Sequence, residues 1–326
     1  QIANIITDSK KYPYLIVFSV AIVLRLVPEI LAFPYPVGYD VINYYLPVIK
    51  NFEQYWPTIS NQFPFYVSLL YGISEVFRAE PQLVISSSIV LVFGLFSIAI
   101  FSIGRNLLRL DNFQSIFLSI FVIFQLGVLR TSWDLHKDMF ALSLTFFSLL
   151  FISKIPKLSK NLIAVTAALN IVTVLADRMI GLLLSVTLIG SFILTRDRGL
   201  AMIAVFVIVI YALSLQANHD NIEYNLKMVG PNNSTNEIYN PTNLIVLFLV
   251  MNAILLPSGI VGFIKSKLII FKIPLLISVI GSFTWIIFPN TSAFLPDRWI
   301  VIFSIFLSLF SGYGFISLIE NRRISI

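Results

Sequence analysis

Apolar residues fall in ten long runs, near 13–33, 82–104, 113–129, 138–153, 161–176, 179–195, 199–215, 243–264, 269–288 and 299–318. Charges, or clusters of Pro, Gly and Asn, separate them. About 20 such residues let an α-helix cross the roughly 30 Å hydrocarbon core of a bilayer. The pattern predicts an all-α fold, a polytopic transmembrane helix bundle of about ten spans. The stretch 64–77 is apolar but only 14 residues long, which suits a helix lying in the interface. Two polar segments exceed turns: 34–80, expected as an extracytoplasmic loop with interfacial helices, and 216–242, a second long outer loop. No polar block has the length of a soluble domain, so 1–326 reads as a single transmembrane domain.

Composition agrees. Of the 326 residues, 58% are hydrophobic and 12% charged, with a mean hydropathy of +0.90; a soluble domain needs more charge to cover its surface. The net charge of +6 is mostly topological. Loops on one side carry 14 of the 22 Lys and Arg against four acids; the other side carries seven bases and eleven acids. Basic loops stay in the cytoplasm, so both termini are placed there and the chain is expected in the cell membrane as a multi-pass protein. No basic patch interleaves with aromatics, which argues against nucleic acid as a partner. The absence of Cys excludes disulfides, thiolate metal sites and a cysteine nucleophile. An initiator Met is expected upstream of Gln1.

The polar segments that carry chemistry then open on the outer face. They are Gly38-Tyr39-Asp40 with the aromatic stretch behind it, Arg130 to Asp138, Asp177-Arg178, the loop 216–242, and Pro296-Asp297-Arg298-Trp299. Charges at the edge of an apolar bundle need a partner or water, which makes them functional candidates. Plainer roles stand beside each. Asp40 is placed to cap a helix over 41–52. Asp177-Arg178 and Asp297-Arg298 read equally as turn residues with headgroup-level Arg and Trp anchors. Asp134 and Asp138 share a face if a helix begins early, or Asp138 caps it. His136 reads as a polar loop residue or a ligand. Arg25 and Glu29, four apart inside the first run, are expected to pair. Asn232, Asn233 and Asn290 head N-x-S/T sequons.

A first span, a long outer loop with an early Asp, an interfacial helix and a Pro-aromatic segment resemble the GT-C superfamily of polyprenyl-phosphate-sugar-dependent glycosyltransferases. Gly38-Tyr39-Asp40 stands where that family keeps an acidic residue. Asn61-Gln62-Phe63-Pro64-Phe65-Tyr66 resembles its His-Pro-Pro-Leu-Tyr segment, without the His and one Pro. Trp133-Asp134 through Asp138 falls where some members place a second acidic motif. The resemblance spans roughly residues 13–200; Val41 stands where the common acidic pair has its second member.

It implies transfer of a sugar from a polyprenyl-phosphate donor to an acceptor on the extracytoplasmic face. Asp40 is then the base that deprotonates or orients the acceptor. Arg298 and Arg178, backed by Arg130 and Lys137, are the groups for the departing phosphate. Asp134 and Asp138, with His136, are the candidate ligands for a divalent cation, Mg or Mn. Partners are membrane lipid, the lipid-linked sugar and, for a complex, other membrane subunits. Two other readings stay open: a non-catalytic scaffold subunit of a membrane complex, and a transporter or lipid flippase, which places ionisable groups near the midplane. Orientation is directly testable. Cysteines introduced at Asn232 and Lys157 are expected to react with an impermeant thiol reagent from outside and inside respectively; labelling from one side overturns the assignment.

Overall fold

The computed structural model describes residues 12–59, 65–154, 160–216, 240–288 and 295–324. The middle of the loop 216–242 with its sequons at Asn232 and Asn233, the sequon at Asn290, and the segment 60–64 lie outside the described residues. Among the described residues every regular element is helical. They run α1 (Tyr12–Ala32), a π-turn (Val41–Tyr45), α2 (Leu46–Lys50), α3 (Phe52–Ile59), α4 (Phe65–Phe77) and α5 (Pro81–Asn106). Next come α6 (Asn112–Ile123), α7 (Leu126–Asp134), α8 (His136–Ile152), α9 (Lys160–Ala176), α10 (Arg178–Thr195) and α11 (Arg198–Gln216). The last are α12 (Pro241–Asn252), α13 (Leu256–Lys265), α14 (Ile269–Ser282) and α15 (Pro296–Ile324).

Each of the ten apolar runs carries helix. Among the described residues six helices are long and apolar enough to cross a membrane, and up to eight spans result when each of two bent pairs is one span. The helices α8 and α9, of 17 residues each, stand at the lower length limit for a crossing. Two expected straight spans are bent. The run 113–129 breaks by 59° between α6 and α7, and 243–264 breaks by 65° between α12 and α13. The second break has a plain cause: Pro257 occupies the first turn of α13, where its ring fits and its missing N–H costs nothing, whereas inside a continuous helix it would clash with the preceding turn.

The chain divides into two compact units, residues 1–123 with 129–217, and residues 124–128 with 218–326. In the first, α5 is the hub, with α1, α4, α6 and α8 against it. Hydroxyls join the helices in this core. Ser97 donates to the Val17 carbonyl at 2.9 Å, and Ser119 donates to the Ser97 carbonyl at 2.8 Å, so α1, α5 and α6 interlock. Ser148 on α8 donates to the Asn170 amide oxygen on α9. Such interhelical bonds, with close packing of small residues, hold helices where lipid removes the usual hydrophobic drive.

In the second unit α15 is the hub. Its apolar stretch is 89% buried, against 22% for α1, and α12, α13 and α14 pack on it. Two glycines permit the crossing with α13. A Cβ on Gly314 would stand 1.9 Å from the Ser258 carbonyl oxygen, and one on Gly262 would stand 1.8 Å from that of Phe310. The Ser258 and Ser311 hydroxyls bond at 2.6 Å in the same seam. Gly314→Ala is therefore expected to destabilise the purified protein by about 1–3 kcal/mol, read as a lower Tm. Gly72→Ala, where a Cβ meets nothing within 4 Å, is the control and should be neutral or mildly stabilising.

Candidate functional site

The first expected motif is built around a glycine. Gly38 has φ +120°, and a Cβ there would lie 2.0 Å from the Trp133 carbonyl oxygen. Only glycine fits both the backbone and the space. The contact brings the chain against the end of α7, where the Tyr39 N–H donates to the Asp134 carboxylate at 2.9 Å. A helical stretch begins at Tyr39, so Asp134, ninety-five residues away, satisfies an orphan donor at its start. The expected capping role of Asp40 is corrected: its backbone is already helical and its side chain makes no capping bond. Asp40 is half-buried. Among the described residues its carboxylate enters no ion pair and no hydrogen bond.

The second motif is also rearranged. Leu135, with φ −106° and ψ 59°, interrupts the helix between Asp134 and His136. Asp134 and Asp138 therefore stand on different helices and do not share a face as i and i+4. Asp138 lies in the first turn of α8 and is 2% exposed, where the positive helix end favours a carboxylate. His136 is fully buried, not a polar loop residue. Its ring stacks on Tyr45 at 5.9 Å between centroids and 15° between planes, and neither ring nitrogen closes a hydrogen bond of good geometry among the described residues. Among the described residues no three His, Asp or Glu side chains gather to hold a metal ion.

Tyr45 is the centre of this end of the unit, 1% exposed. Its ring meets Tyr66 edge-on at 5.8 Å, and Tyr66 meets Phe140 at 5.4 Å. Burial first, then the charge of Asp138, the neighbouring Tyr66 and the charge of Asp40 hold the Tyr45 phenol well above its ordinary pKa, against an opposing backbone bond from Lys137. It is therefore a neutral donor throughout the physiological range. Tyr66 is likewise pushed up by burial, with Arg25 opposing.

Beneath these rings lies a buried ion pair. Arg25 and Glu29 pair at 2.5 Å with 0% and 6% of their side chains exposed. The Arg25 Nε donates to the Ser132 carbonyl at 3.1 Å, and the Ser86 hydroxyl donates to Glu29 at 2.6 Å. The pair expected from spacing is present, and its ties to α5 and α7 come from residues whose sequence context carried no such signal.

The expected phosphate-binding cations divide. Lys137 pairs with Asp177 at 3.5 Å. Asp177 also caps α10, accepting from the Ile180 N–H at 2.9 Å, a role more specific than the turn residue expected. Arg178 follows in the first turn of α10. Arg130, on α7, is half-buried and enters no ion pair among the described residues. Arg298 belongs to the second unit, in the first turn of α15, where its N–H donates to the Leu295 carbonyl at 3.0 Å. Beside it Trp299 is only 7% exposed, because its indole fills the space a Cβ on Gly281 would need. It is a packing residue and not a headgroup-level anchor.

The structure thus brings Asp40, Asp134, His136, Lys137, Asp138 and Asp177 to one end of the first unit. Sequence reasoning missed Tyr45 and Tyr66 as the rings that join them; the signal was the aromatic density of 44–66. No known family model matches the sequence, and no curated protein matches it. The Asp134 cap is testable by hydrogen exchange. Asp134→Ala should speed exchange of the Tyr39 amide and cost about 1–3 kcal/mol locally. Asp134→Asn, which keeps an acceptor oxygen, should show a clearly smaller effect.

Proposed function

We propose that this chain is a membrane glycosyltransferase-like protein of the GT-C kind, with ten spans and both termini in the cytoplasm. It transfers a sugar from a polyprenyl-phosphate donor to an acceptor on the extracytoplasmic face. The ten-span count takes the two bent pairs as one span each and adds α8 and α9, whose 17 residues suffice for a thin or untilted crossing. The orientation rests on the asymmetry of Lys and Arg between loops.

The observation that carries the catalytic part is the unengaged carboxylate of Asp40. Its neighbour in the motif is capped by Asp134, so Asp40 has no structural duty that would explain its charge. A half-buried carboxylate beside a neutral phenol suits a group that accepts a proton from an incoming hydroxyl or amine. Arg130 is the nearest candidate in sequence for the departing phosphate, with Arg178 and Arg298 retained from the resemblance. The cation expected at Asp134, Asp138 and His136 finds less support. Asp134 gives one carboxylate oxygen to the Tyr39 amide and has a second, while His136 stacks on Tyr45; the phosphate is assigned first to arginine, with the cation as the second group.

One observation favours the scaffold reading as the alternative: Lys137 and Asp177 are engaged with each other, which removes one expected cation from donor binding. A single substitution separates the two. With the cap supplied by Asp134, Asp40→Asn should leave expression and Tm unchanged. Transfer from a polyprenyl-phosphate sugar to its product, measured on purified protein, should fall by about 10²–10⁴-fold. Equal transfer by wild type and variant eliminates the base assignment. No transfer by either, across several donors, favours the scaffold.

A further inference from the structure

A pocket of about 650 Å³ lies within the first unit, between α2–α3 and the turn joining α4 to α5. Five ionisable side chains line it: Lys50, Glu53, Glu75, Arg78 and Glu80. Two are cationic and three anionic, and among the described residues none of the five pairs with another. The back wall is Tyr71, stacked on Phe52 at 4.1 Å with 8° between planes.

The turn that carries Arg78 and Glu80 follows directly on α4, whose last turn carries Glu75. Arg78 has φ +49°, a left-handed value that a residue with a Cβ adopts only under constraint. It occupies the position after the end of α4 that glycine normally fills. The Ala79 N–H donates to the Ser74 carbonyl at 3.0 Å and the Arg78 N–H to that of Glu75 at 3.3 Å. The buried Ser74 hydroxyl then clamps the Ala79 carbonyl at 2.7 Å. Arg109 and Arg196 take the same left-handed conformation, and Arg78 differs from them in sharing its pocket with three carboxylates.

The surroundings say where the pocket sits. Val76 is 77% and Phe77 74% exposed, immediately before Arg78, and Leu83 is 51% exposed just beyond it. Tyr55 and Trp56 on α3 are exposed as well. Bare apolar side chains passing within one turn into charge, flanked by Tyr and Trp, mark the boundary between lipid tails and headgroups.

We propose that this pocket binds a zwitterionic aminophospholipid headgroup, an ethanolamine phosphate. Arg78 and Lys50 take the phosphate through charge-assisted hydrogen bonds. Glu53, Glu75 and Glu80 take the primary ammonium, whose three N–H donors need several acceptors. The acyl chains leave along Val76 and Phe77. The excess of one carboxylate over the cations disfavours an anionic lipid that has no ammonium.

The full chain, purified in detergent, is titrated with short-chain phosphatidylethanolamine, phosphatidylcholine and phosphatidylglycerol, and bound lipid is counted by native mass spectrometry. Phosphatidylethanolamine should bind roughly tenfold tighter than phosphatidylglycerol. Phosphatidylcholine, whose methylated ammonium has no N–H, should be weaker too. Arg78→Gly should weaken phosphatidylethanolamine binding by about tenfold while leaving Tm equal or higher, because glycine suits the left-handed position. Glu75→Gln should abolish the preference for ethanolamine over glycerol headgroups. Equal affinity for the three lipids, or wild-type binding by both variants, overturns the proposal. Retention of the lipid in the presence of equimolar soluble phosphoethanolamine supports a membrane ligand; displacement by it overturns the lipid assignment.

Discussion

A charged pair without access to water organises the first unit. Arg25 is fully buried and Glu29 nearly so, and two charges withdrawn from solvent are tolerable only when paired and further hydrogen-bonded. Each remaining bond therefore restricts a neighbour. Ser132 must present its carbonyl to Arg25, which places the end of α7. Ser86 must present its hydroxyl to Glu29, which sets the rotation of α5 against α1. Tyr66 comes within reach of the guanidinium, so α4 is positioned by the same charge. Removing either partner would strand the other, and the penalty would fall on the geometry of the polar end as well as on stability.

Backbone proximity has the same organising effect elsewhere, through glycine in place of charge. Gly314 and Gly262 let α13 and α15 approach until carbonyls occupy the space of missing side chains. Gly38 does this for the loop that delivers Asp40, lying directly on the Trp133 carbonyl. These contacts are rigid because nothing flexible stands between the backbones. A motif of Gly, Tyr and Asp thus acquires three separate tasks. Gly38 allows the approach, Tyr39 supplies the amide that Asp134 holds, and Asp40 makes no capping bond.

That division shapes the chemistry. With the cap supplied by Asp134, the Asp40 carboxylate enters no ion pair and no capping bond among the described residues. The phenol of Tyr45, kept neutral by burial and by the carboxylates near it, adds a donor within the same cluster. The charged pocket at the α4–α5 turn follows a contrasting rule. There the groups stay solvated and apart, and a strained arginine is retained where glycine would be easier.

Helicity, the positions of the ten apolar runs and the Arg25–Glu29 pairing were all legible in the chain. Each depends on spacing along one segment: on runs of about 20 apolar residues or on the four-residue repeat that puts two side chains on one face. Pro257 in the first turn of α13 suits the bend before it, but Pro28 and Pro274 lie inside α1 and α14, so proline alone did not mark where a run would break. Other features are decided between segments far apart in sequence, and no local pattern encodes them. Whether Asp40 or Asp134 caps the helix starting at Tyr39 depends on a contact across ninety-five residues. Whether His136 is wet or buried depends on where Tyr45 lands, and whether Lys137 stays available depends on Asp177 at the start of α10. The spacing of Asp134 and Asp138 suggested a shared face, and the break at Leu135 puts them on different helices. Hydrophobic periodicity determines what a helix is, while the fate of each polar side chain is settled by which distant partner reaches it first with the right geometry.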